Sequence, residues 1–344
     1  MGRPAQVIQV KIDALPRNIK FPRWVLLIFL IPLLGIGTGI VAMIAGMTPL
    51  FLSKNRNSNT SSTKARPNGP GGGIRPEPSF ANVLLKFGSE GIGPGMFTDA
   101  RSIALDGAGN ISVGEYSGGR VQVFDANGKF LTQWVADAKM PLRGLAADRK
   151  GNVYVVQAGK IQKFEGLTGK SLGEIQYGEG WGFDDIVITA DGGFLAAWYK
   201  NRDDIVRFDA TGNVVRTIKG AISSVTEHSE LDTRIAEDGL GNIYALGRFN
   251  NGVFKFGRDG KYINRFGGQG DKPGQLQAPG AIAVDGKGRV FISDMKGIQM
   301  FDSDGRYLDV FKPDNGHASG MIFNDKNELF VVDRNKVVKV ALKE

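Results

Sequence analysis

Two histidines, no cysteine and a scatter of arginines bound the chemistry open to this 344-residue chain. Without cysteine there is no thiol nucleophile, no Cys-ligated zinc and no disulfide. His228 and His317 are the only imidazoles available for proton transfer or metal binding. With no third histidine and no evident carboxylate partner, both read first as exposed loop residues, and metal ligation is the alternative. Neither a Gly-x-Ser-x-Gly elbow nor a Walker loop occurs. What the chain does offer is Arg101, Arg143, Arg234 and Arg248, with Asp184, Tyr116, Trp181 and Trp198. Guanidinium groups beside exposed aromatics suit an anionic or carbohydrate-like ligand, or an acidic loop of a partner protein. These residues lie far apart in the sequence, so the fold must gather them.

A repeat supplies the means. A β-rich run ending in an apolar residue recurs as RVQVF at 120–124, KIQKF at 160–164, DIVRF at 204–208, GVFKF at 252–256, GIQMF at 297–301 and KVVKV at 336–340. Successive ends fall 40, 44, 48, 45 and 39 residues apart, the spacing of four-stranded propeller blades. Each run is preceded by a turn: Asp106 to Asn110, Asp148 to Asn152, Asp238 to Asn242 and Asp285 to Arg289 follow one pattern, and the copies at 190–194 and 324–328 are degenerate. In such a turn Asp accepts backbone N–H groups and glycine tolerates positive φ. A further strand follows five of the six runs. The missing sixth has a candidate at the other end of the domain, NVLLKF at 82–87, which predicts a ring closed by strands from both ends. The expected fold is an all-β, six-bladed propeller over residues 80–344.

Aligning the blades predicts one face around the central channel. Arg101, Arg143, Asp184, Thr233, Gly280 and Ser319 take equivalent positions at the channel mouth, with Asp185 and Arg234 one residue further in. Loops between second and third strands add Tyr116, Trp198, Tyr199, Lys200, Arg248, Phe249, Met295 and Arg334. Loops between blades add Trp181 and His228.

Residues 87–134 and 266–311 resemble NHL repeats, with a Gly-rich lead, an Ile-Ala-Leu-Asp or Ile-Ala-Val-Asp step, a Gly-Asn or Gly-Arg turn, and RVQVF or GIQMF. The resemblance covers about 80–344 and implies the propeller fold. It implies little about function, since propellers of this family serve as scaffolds, sensors, ligand binders and enzymes. Some propeller lyases resemble this layout and use histidine for zinc or for proton transfer, a role that would fall to His228 and His317. Propeller lactonases present a calcium-binding Glu/Asn/Asn/Asp set, which the mouth sequence Arg, Arg, Asp, Thr, Gly, Ser does not supply.

Ahead of the propeller, residues 1–23 form a basic segment, and 24–52 run for 29 residues without a charge. That run is long enough to cross a bilayer and too long for a cleaved signal, so it predicts an uncleaved transmembrane anchor. Gly35 and Gly39 offer a close-packing pair through which two such helices would dimerise. Residues 53–79 are nearly free of apolar side chains and predict a flexible linker. Five basic residues before the run and four soon after it favour a cytoplasmic N-terminus and an extracytoplasmic propeller. Ten of the 43 Lys and Arg and two of the 35 Asp and Glu lie in 1–79, which leaves 33 of each in 80–344. A neutral propeller argues against a nucleic-acid partner.

The first expectation is therefore a membrane-tethered binding or scaffold propeller, not an enzyme and with no cofactor. Its face would take a protein, peptide or glycan through Arg101, Arg143, Asp184, Arg234, Trp181, Trp198, Tyr116 and Arg248. The alternative is a propeller lyase or hydrolase using His228 and His317 with a metal. A third reading is a structural subunit of a membrane complex.

Overall fold

The computed structural model describes residues 80–200, 202–226, 228–313 and 318–343. The anchor, the linker and His317 lie outside them. Among the described residues no helix is long and apolar enough to cross a membrane.

Six four-stranded antiparallel sheets are present, one per repeat. Blade one runs Ala100–Leu105, Ile111–Glu115, Arg120–Phe124 and Phe130–Val135. The inner strands of the other blades are Leu142–Ala147, Phe183–Ile188, Thr233–Glu237, Ala281–Val284 and Gly320–Phe323. The sixth sheet takes its outer strand from the other end of the domain. Ala81–Phe87 pairs with Lys336–Leu342, with Ala81 opposite Leu342 and Phe87 opposite Val337. The strand expected at 82–87 thus closes the ring.

The turn between first and second strands forms as its residues require. Asp106 accepts the Ala108 and Asn110 N–H groups at 2.9 Å each, and Gly109 holds φ +82°. In the degenerate sixth copy Asn324 takes the aspartate's part, and Asn327 stands at φ +59° where the others have glycine. Second strands such as Ile111–Glu115 and Ile243–Gly247 are buried along their whole length, because neighbouring blades cover both faces. Six apolar clusters form the core, each shared by two adjacent blades.

Two sets of irregularities are regular in position. In every blade the outer strand carries one extra residue at the same place: Leu84, Leu131, Leu172, Val215, Ile263 and Leu308. All six are aliphatic and 39 to 59% exposed. A bulge twists an edge away from intermolecular pairing, so the outer strands of the ring are each blunted. The inner strands bulge only in blades one to three, and the extra residues there are Arg101, Arg143 and Asp184. In blade four Thr233 and Arg234 pair in unbroken register with Gly247 and Leu246.

Candidate functional site

The inner strands enclose a cavity of about 620 Å³. Arg101, Asp185, Arg234 and Ser319 line one end of it, and Asp106, Asn324 and Asp325 the other. Between them Ile103, Leu145, Ile186, Ile235, Ile282 and Met321, one from each blade, form an aliphatic collar only 4 to 8% exposed. The collar disfavours any polar group, since desolvating one there is costly, whereas the two mouths are polar.

Arg234 organises the first mouth. Its guanidinium donates to the Arg143 carbonyl at 2.8 Å and the Asp184 carbonyl at 3.4 Å, and pairs with Asp185 at 3.5 Å and Asp232 at 3.3 Å. It thus ties blades two, three and four together across the channel. Gly144 permits the approach: a Cβ there would stand 3.1 Å from the Asp185 Cα. Burial alone would lower Arg234's pKa, but Asp185, Asp232 and Asp184 outweigh it and hold the group above its usual value. Asp185 accepts the Ile235 N–H at 2.9 Å, and Asp232 also pairs with Arg248, which donates to the Pro279 carbonyl at 2.9 Å.

Asp184 differs from its neighbours. It is 1% exposed, and neither carboxyl oxygen has a hydrogen-bond partner among the described residues. Burial pushes its pKa well above the usual carboxylate range, with Asp232 and Asp185 adding to the rise and Arg234 and Arg143 opposing it. Burial also raises Asp185, against Arg234 and two backbone N–H groups. Asp184 is accordingly biased toward its protonated, neutral form. Three arginines (143, 234 and 248) and three aspartates (184, 185 and 232) meet around this mouth. The Arg143 Nε is buried and unpartnered as well, and its guanidinium lies 5.9 Å from the Tyr199 ring.

The remaining expected residues fall at varied distances from this centre. Arg101 stacks on Tyr116 at 4.0 Å and is held by Asp99 through contacts of 2.9 and 2.8 Å. Trp181 is half-exposed beneath Lys200, 4.2 Å from its ring. Trp198 requires correction. Expected on a rim loop, it ends the strand Phe194–Trp198 opposite Phe183, is 1% exposed, and packs edge-on against Tyr177 and Phe183. Strand pairing continues one residue further than the loop alignment predicts, which turns the indole into the blade interface. His228 is exposed on the inter-blade loop, where its N–H contacts the Thr226 hydroxyl at 3.3 Å. Sequence reasoning missed the collar, whose residues carry no motif.

Among the described residues no group of three His, Asp or Glu is placed to hold a metal. A divalent cation does not fit the mouth either. The space bordered by Asp184, Asp185 and Asp232 already holds the Arg234 guanidinium, and Arg143 adds a second positive charge.

The chain matches the sequence profile of no known family, and no curated protein matches it. Solved structures with the same fold do exist. A gluconolactonase from Xanthomonas campestris superposes with a TM-score of 0.56 at 16% identity, covering 78% of this chain and 99% of its own. A streptogramin B lyase gives 0.55 at 14% identity, covering 78% and 100%. A Bacteroides caccae protein of unknown function gives 0.52 at 14%, covering 64% and 81%. The expectation that this chain is not an enzyme is corrected by the first two, both of them enzymes. The missing serine elbow and Walker loop did not exclude chemistry, because a propeller's site is assembled from mouth residues of several blades and leaves no contiguous motif. The chain is thus a six-bladed propeller similar in fold to a gluconolactonase and a streptogramin B lyase.

Proposed function

We propose that the channel mouth is a hydrolase- or lyase-type active site that opens small, anion-bearing cyclic esters. The observation carrying this reading is the buried carboxyl of Asp184, unpartnered on both oxygens beside Arg143 and Arg234. A native fold keeps such a group at a cost, and acid catalysis is a use that needs it neutral. The likeness to a gluconolactonase and a streptogramin B lyase supports the reaction class.

In this proposal Arg101 and Arg143 hold the substrate's anionic group. Arg234 stands toward the carbonyl oxygen, where charge gathers as water adds. Water attacks the carbonyl carbon, the acyl carbon–oxygen bond of the ring breaks, and the departing oxygen takes the Asp184 proton. The attacking water's proton then restores Asp184. One lactone and one water become one hydroxy acid.

Purified protein is assayed against five- and six-membered lactones bearing a carboxylate, with acid release read by a pH indicator. Asp184→Asn lowers turnover by about 10² to 10⁴-fold, and Arg143→Met by about 10²-fold or more. Activity declines as pH rises through Asp184's raised pKa. Parent protein that turns over no such lactone, or an Asp184→Asn variant of undiminished rate, overturns the reading.

A further inference from the structure

Beside the mouth, at the junction of blades three and four, lies a second hollow of about 300 Å³. Tyr199, Lys200, Arg202, Asp203, Ser223 and Ser229 contribute to its wall. The connection from Ile218 to Thr233 builds one side of it, folding into the single helical turn Ser223–Thr226.

Two features of this wall call for a ligand. Asp203 is 2% exposed. One of its carboxylate oxygens accepts the Ile222 N–H and the Ser223 N–H, the latter at 2.8 Å. The other, Oδ1, has no partner among the described residues. The charge of Asp203 is thus spread over two backbone amides, and one buried acceptor is left wanting a donor. On the rim the balance is reversed. Lys200 and Arg202 are exposed and pair with no carboxylate among the described residues, whereas Lys219 on the same wall is taken by Glu179 and Asp204. Glu230, the other acid of the wall, is spent on the N–H groups of Phe249 and Asn250 and the Asn250 amide. Among the described residues one buried acceptor is left without a donor, and two cations are without a carboxylate, Arg202 and the Lys200 that lies over the Trp181 ring.

We propose that this hollow binds a small oxyanion that carries a hydroxyl group, a hydroxycarboxylate or a hydroxylated phosphate ester. Its hydroxyl donates to Asp203 Oδ1, and its charged oxygens meet Arg202 and Lys200. Arginine's planar fork suits either oxyanion. The site is distinct from the channel mouth and does not depend on the reaction assigned there. Tyr199 of its wall has the Arg143 guanidinium 5.9 Å from its ring centroid.

Calorimetric titration of the full-length protein tests this with five probes: glycerate, propanoate, glycerol 3-phosphate, inorganic phosphate and glycerol. Glycerate and glycerol 3-phosphate bind at least about tenfold more tightly than propanoate, phosphate or glycerol, as expected for adding a hydrogen bond to a charged acceptor. The ratio between the two hydroxylated probes tells which oxyanion is preferred. Arg202→Ala, an exposed substitution that leaves the fold intact, weakens both by about tenfold or more, while Arg101→Met changes neither. Propanoate binding as tightly as glycerate removes Asp203's role and sinks the proposal. So does binding that survives Arg202→Ala, or that vanishes with Arg101→Met and thereby belongs to the mouth.

Discussion

Asp184 shows how burial ties one residue's protonation to stability. Its folded pKa is raised, so the folded protein loses stability as pH climbs from the unfolded carboxylate value toward the folded one, and the deficit is complete above that. Asp184→Asn removes the dependence. Its melting temperature exceeds the parent's at pH 8 and approaches it at pH 4. Asp191 behaves oppositely. The Thr189 hydroxyl, Arg207 and the Gly193 N–H hold its pKa down to about 2. Its stabilisation is full above the usual carboxylate value and is lost as pH falls through about 2. Urea midpoints measured from pH 5 to pH 2 fall less in Asp191→Asn than in the parent. Neither behaviour is legible in the sequence. Asp184 and Asp191 share a residue type, and only their neighbours set their pKa values apart.

At the scale of the element, the bulges separate what a pattern reveals from what pairing reveals. The runs YINRF and YLDVF announce outer strands through their alternation, and the structure places strands there. That Ile263 and Leu308 are extra residues depends on the partner strand's register, which no single run contains. Deleting Ile263 leaves Tyr262 and Asn264 as consecutive partners of Phe256 and Lys255, a regular ladder in which the buried Phe266 still lies opposite Val253 and packs on Phe301. The deletion is expected to stay within about 1 kcal/mol of the parent in denaturant melts while the straightened edge self-associates, read by sedimentation. Ile263→Lys keeps the backbone count and stays within about 0.5 kcal/mol of the parent, because the side chain is already half in water. The inner-strand bulges carry the same lesson to the site. They set Arg101, Arg143 and Asp184 outside the ladder; of the three Arg101 lines the cavity, and Asp184 is buried behind it.

For the whole molecule, closure is the decisive feature. Phe80 and Ala81 are buried in the fifth and sixth blades' shared core, with the Phe80 ring 5.9 Å from both Phe291 and Phe311. Phe80→Ala therefore costs about 3–5 kcal/mol, read as a lowered denaturant midpoint with a single transition retained. A bilayer span at 24–52 is tested by alkaline carbonate extraction of cell membranes, with the protein expected in the pellet. The sequence by itself determined the number of blades, the turn residues and the strand that closes the ring. Those follow from alternation, glycine placement and spacing, which act over a few residues and repeat. Only the tertiary structure decided that Arg234 sits among Asp185, Asp232 and a carbonyl 91 positions away. It alone likewise buried Trp198 and left Asp184 unpartnered. Burial and charge balance are properties of a neighbourhood, and in a closed ring each neighbourhood is assembled from blades that the chain itself keeps far apart.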